Sequence, residues 1–163
     1  MLGLKEKRLF LVLISLCLVF SGVTFAAKGG NKAVRAALRV DSYEDQEIAL
    51  PDGLPDEFTV TVPFDGLLET IRLQKMSVRG PNFRFLVQGE DGELVEKDPG
   101  PVRTYMGTVD GDPEATVAAS LKPSGLRATI HKVNGNGWSI RSLKKFDKAA
   151  KRNQHAVFSH LKN

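Results

Sequence analysis

By side-chain type, His131, His155 and His160 are the residues of this chain best suited to metal or proton chemistry. A helical zinc site needs His-Glu-x-x-His, in which two histidines one turn apart chelate the metal and the glutamate activates water. The chain has no such run, and the spacing of His155 and His160 suits neither a helix face nor one face of a strand. They read as surface or loop histidines, and no metal site is expected. Nucleophilic chemistry is no better supplied, because Ser120 and Ser124 lack the Gly-x-Ser-x-Gly elbow of a serine hydrolase. Glu90, Asp91 and Glu93 have the chemistry for acid–base work or calcium binding, but beside Gly89 and Gly92 they read as a solvated turn. Gly135-Asn136-Gly137 lacks the strand-to-helix setting of a phosphate loop. Tyr105 and Trp138 have the rings of a ligand platform, but their alternating positions read as core. Lys144-Lys145 and Lys151-Arg152 read as a solvated basic face rather than processing sites. No enzyme and no cofactor are expected.

The elements around these residues have the period of two that a half-buried strand requires. Phe58, Val60, Val62 and Phe64 alternate with Thr59, Thr61 and Pro63, and Asp65-Gly66 makes a turn. Leu67 to Leu73 reads as a strand with Ile71 and Leu73 inward, although a helix also fits its spacing. Phe83, Phe85 and Val87 alternate as a third strand, and Asp91-Gly92 turns into a short strand over Glu93 to Glu96. From Tyr105 to Leu143, four apolar runs are separated by Gly, Pro and Asn, the rhythm of consecutive antiparallel strands. In them Leu126, Ala128 and Ile130 share one face, as do Trp138 and Ile140. Asn134-Gly135-Asn136-Gly137 supplies the positive φ angles of a hairpin. Lys144 to Arg152 reads as a short helix or linker, and His155 to Leu161 as a last strand. The expected fold is all-β: one antiparallel β-sandwich or distorted barrel of about seven to nine strands. Its core would be Phe58, Val60, Val62, Phe64, Ile71, Leu73, Phe83, Phe85, Val87, Tyr105, Val109, Val117, Leu126, Ile130, Trp138 and Ile140.

Ahead of that domain, Lys5, Lys7 and Arg8 precede an apolar run from Leu9 to Phe20 and small residues to Ala27. This is the pattern of a secretory signal peptide over residues 1–26, too short to span a bilayer, which takes roughly 20 residues. No stable membrane anchor is therefore expected after cleavage. Residues 27–56 read as a flexible leader with one short strand around Ile48 to Leu50, and 57–163 as the folded domain. The single cysteine, Cys17, lies in the apolar run, so the exported domain would be free of disulfides. Loss of Lys5, Glu6, Lys7 and Arg8 takes the formal charge from +4 to +2. With charges of both signs scattered along the chain, nucleic acid is not an expected partner.

The order Tyr105-x-Gly107-x-Val109-x-Gly111, Val117-Ala118-x-Ser120, Gly125-Leu126-Arg127 and Trp138-x-Ile140-x-x-Leu143 resembles the propeptide of adamalysin-type (reprolysin, ADAM) zinc metalloproteases. The similarity extends more weakly to Phe58 upstream and to His155-Ala156-Val157-Phe158 downstream. The resemblance implies a domain that folds ahead of a protease and keeps it latent, with those residues as its structural motif. It also implies a protease domain soon after Asn163. The chain departs from the family in several places. The mature segment has no cysteine to ligate a catalytic zinc, Arg127-Ala128 ends the family's Gly-Leu-x-Gly, and Ser142 stands where proline is usual.

The expectation is a secreted, non-catalytic, propeptide-like domain that binds or masks a zinc metalloprotease, or is a truncated or detached prodomain of one. A different reading is an exported β-sandwich that binds a polysaccharide or a surface protein. A third is an undetected hydrolase using Ser120, Ser124 or the histidines.

Overall fold

A computed structural model describes residues 30–133, 135 and 137–160 of the chain. The signal peptide expected over 1–26, with Cys17, lies outside the described residues, as do Asn134 and Asn136 of the expected hairpin. No helix among the described residues is long and apolar enough to cross a membrane.

Among the described residues ten strands form two antiparallel sheets. They are β1 (Glu44–Glu47), β2 (Glu57–Phe64), β3 (Leu67–Lys75), β4 (Leu86–Gln88), β5 (Leu94–Glu96), β6 (Thr104–Val109), β7 (Asp112–Lys122), β8 (Gly125–His131), β9 (Trp138–Ser142) and β10 (Gln154–Ser159). Helix α1 (Lys32–Leu38) precedes them, and a single 3₁₀ turn (Leu143–Lys145) follows β9. The main sheet has eight strands in the order β1-β10-β9-β8-β7-β6-β3-β2, and β4 and β5 form a small sheet of their own. The main sheet curls until it is nearly closed like a barrel. The all-β expectation is met, in its distorted-barrel form.

Alternation drives the curl. Ala115, Val117, Ala119 and Leu121 of β7 and Leu126, Ala128 and Ile130 of β8 face one interior, while Thr116, Ala118 and Arg127 are exposed. Ile48, just past β1, and Val60 and Val62 of β2 belong to the same cluster, so the two sheet edges share one core. The Phe64 ring of β2 lies on Trp138 of β9, with centroids 4.6 Å apart and planes 12° from parallel. At the β2–β3 turn, Asp65 (φ 51°) and Gly66 (φ 80°) take the paired left-handed angles of a tight hairpin. Each added core side chain of this size contributes about 1.5–3 kcal/mol on full burial.

Two expectations need correction. The segment over 27–56 is not a bare leader in the described residues. Asn31 caps α1, accepting the Ala33 N–H at 2.8 Å, and β1 pairs with β10 from Glu44↔Val157 to Glu47↔Gln154. The strand lies over Glu44–Glu47, immediately before the expected Ile48 to Leu50. Val34, Tyr43, Leu143 and Ala156 form a second apolar cluster on the outer face of β10. Burial on both faces explains why His155, Ala156 and Val157 are buried consecutively.

The second correction concerns Phe83, Phe85 and Val87. These residues are not core: Phe83 and Phe85 precede β4, Val87 lies within it, and all three are exposed. They belong to an arm that leaves the barrel after β3 and returns at β6.

Candidate functional site

The residues on which the resemblance to reprolysin propeptides rests are distributed through the barrel wall. Tyr105 is buried, edge-on to Phe58 at 5.0 Å and 83°, and its hydroxyl donates to the Pro55 carbonyl at 3.0 Å. Burial pushes that hydroxyl's pKa up, outweighing the opposing charge of Lys75. Gly107 sits where β6 crosses β3: a Cβ there would lie 2.0 Å from the Arg72 carbonyl oxygen. The ladder shifts register between Gly107 and Val109, and Gly111 (φ 78°) turns the chain into β7. Val109, Val117, Leu126, Trp138 and Ile140 point into the core, and Leu143 into the second cluster. Ala118 is exposed and Ser120 half-buried on the outer face. Gly125 (φ 129°) packs against the Arg152 carbonyl and His155. The motif thus comes together as packing and turns, without a shared cleft.

The histidines separate by environment. His155 is fully buried, with Nε2 accepting the Leu126 N–H at 3.0 Å. Its proton therefore sits on Nδ1, which donates to the Asn153 carbonyl at 2.8 Å. Burial holds its pKa below 6.5, against the raising effect of that hydrogen bond. His160 Nε2 lies 2.7 Å from the Ser139 Oγ. This is the pairing nearest to a nucleophile and base, and Ser139 carried no sequence signal because only the β9–β10 register brings it to His160. No carboxylate orients His160 among the described residues; its ring neighbour is His131, 6.0 Å away. Burial, then His131 and Arg141, lowers its pKa. Ser139 is itself fully buried. Among the described residues no group of three or more His, Cys, Asp or Glu is placed to hold a metal ion. Ser124 offers its carbonyl to the Ser142 hydroxyl at the β7–β8 turn.

The surface with the clearest capacity to bind is the arm. From Met76 to Val95 it exposes Met76, Val78, Phe83, Phe85, Leu86, Val87, Leu94 and Val95, with Val78 82% and Leu94 66% accessible. Every residue of β4 and β5 is exposed on both faces of a sheet only two strands wide. Such a ribbon buries too little to be stable alone. Its shape is fixed instead by polar clasps at its margins. The Arg84 guanidinium meets Glu96 at 2.9 Å, and Arg79 donates to the carbonyls of Gly100 at 2.7 Å and Pro99 at 3.1 Å. At the tip, the Asp91 carboxylate accepts the Glu93 N–H at 3.2 Å, so the acidic cluster is a turn.

Among known proteins, no family model and no curated protein matches the chain.

Proposed function

We propose that this chain is a secreted, non-catalytic binding domain whose arm over 76–103 docks on a partner protein, the partner being the catalytic domain of a zinc metalloprotease. The observation that carries the docking is the exposed apolar surface of the arm, eight large side chains drawn from a single excursion of the chain. Large apolar side chains gathered on one exposed segment favour docking, because leaving them in water forfeits the burial that would stabilise a complex. The open edge of the small sheet adds unpaired backbone groups able to continue a partner's strand. The choice of partner rests on the resemblance of the β6–β9 motif to reprolysin propeptides. The basic start and apolar run over Lys5 to Phe20 support export. With no cysteine in the described residues to ligate zinc, masking would act by covering the cleft.

The test is titration of the protein into a reprolysin-type catalytic domain from the same organism, with binding and peptide hydrolysis read together. Binding and inhibition are expected, both lost in the Phe85→Ser/Val87→Ser double variant. Absence of binding at tens of micromolar, or equal binding by the double variant, would overturn the reading.

A further inference from the structure

On the outer face of the barrel, away from the arm's strands, β8 and β9 set Arg127 directly opposite Arg141. Like charges at directly opposed positions repel and are ordinarily selected against or offset by a carboxylate. Here neither arginine makes an ion pair among the described residues. The pair lines a cleft of about 540 Å³ that also receives Lys122 and Lys145 and contains no aspartate or glutamate. Leu38 of α1, Phe146 and Phe158 add apolar surface to the same cleft, and the Arg141 guanidinium lies over the Phe158 ring at 6.0 Å.

The arginines are held in different ways. The Arg141 guanidinium is fixed from behind: Nη1 donates to the carbonyls of Ala128 at 2.5 Å and Ile140 at 2.9 Å, and Nη2 donates to the Thr129 hydroxyl at 3.1 Å. Burial and then the Arg127 charge lower its pKa, so the positive charge is carried at a cost. Arg127 is exposed and makes no such bonds, leaving its planar fork of donors available.

We propose that this cleft binds an oxyanion group (carboxylate, sulfate or phosphate) carried on an apolar body. The anion is received between Arg127 and Arg141, and the apolar body lies against Leu38, Phe146 and Phe158. An anion at that point relieves the repulsion between the arginines and takes charge-assisted hydrogen bonds from Arg127. The assignment is independent of the arm and its partner.

Calorimetric titration of the full chain with octanoate, octanamide and inorganic phosphate tests it. Octanoate should bind, with octanamide and phosphate each weaker by about tenfold or more, and Arg127→Gln should abolish the advantage of octanoate over octanamide. Arg127 is exposed and its removal relieves the repulsion on Arg141, so thermal unfolding of the variant at or above that of the parent is expected and excludes misfolding as the cause. N-acetylphenylalanine alongside octanoate distinguishes a peptide terminus from an acyl chain as the source of the anion, and binding by either supports the site. Equal binding of octanamide and octanoate, an unaltered octanoate affinity in Arg127→Gln, or no binding by about 10 mM octanoate would overturn it. Phosphate matching octanoate would overturn the apolar half of the assignment.

Discussion

The buried Leu126 N–H, at the start of β8, donates to the Nε2 of His155 on β10, two strands away in the sheet, at 3.0 Å. This hydrogen bond needs a neutral imidazole. Because burial keeps the folded pKa of His155 below 6.5, the unfolded chain binds the proton more readily. The resulting stability is complete above 6.5, declines as pH falls toward the folded value, and is flat below it. His160 is displaced in the same direction, so the clean measurement uses a His160→Asn background. In that background urea midpoints should fall between about pH 7.5 and about pH 5, and adding His155→Asn should flatten the fall. At about pH 7.5 that second change should cost about 1–3 kcal/mol by stranding the Leu126 donor.

Gly107 is expected to be intolerant of any side chain. A Cβ would lie 2.0 Å from the Arg72 carbonyl, an atom of the adjacent backbone that cannot swing aside. Gly107→Ala should destabilise the barrel by about 3 kcal/mol in urea unfolding. Gly80, with nothing within 4 Å of a built Cβ, is the control. Its alanine variant should lie within about 0.5 kcal/mol of the parent.

The Phe64–Trp138 stack joins the last residue of β2 to the first of β9. A double-mutant cycle with Phe64→Leu and Trp138→Leu should return a coupling of about 0.5–1.5 kcal/mol beyond the separate losses of burial. Additive losses would show that the rings share the core without favouring each other.

Substitutions in the arm should separate folding from binding. Phe85→Ser and Val87→Ser, both at exposed positions, should each alter unfolding free energy by no more than about 0.5 kcal/mol. Val62→Ser, at a fully buried position, should cost several times as much in the same assay. The arm variants should keep the parent circular dichroism while losing the partner.

Legibility of the fold followed the number of buried faces. In β2, β3, β7 and β8 one face meets the core and the other meets water, so the sequence alternates and the inward residues are readable. Strand β10 is covered on its second face by Tyr43 and Val34, which erases the alternation at Ala156. Strand β1 is four residues long, and its buried side chains are Glu44 and Gln46, so no apolar rhythm marks it. Phe83, Phe85 and Val87 misled for the opposite reason: their apolar alternation matches that of a half-buried strand, yet all three are exposed on a sheet only two strands wide. The Ser139–His160 contact and the Arg127–Arg141 opposition arise from the β9–β10 connectivity and the β8–β9 register, which no local pattern encodes.

The pairing of Glu44 with Val157 joins positions separated by roughly a hundred residues of chain. Loop closure over that span is slow relative to the neighbouring hairpins. The strands from β2 to β10 can therefore pair before β1 docks, which leaves the outer edge of β10 uncovered until the two ends of the sheet meet. During that interval the uncovered strand edge is a template for pairing with other copies.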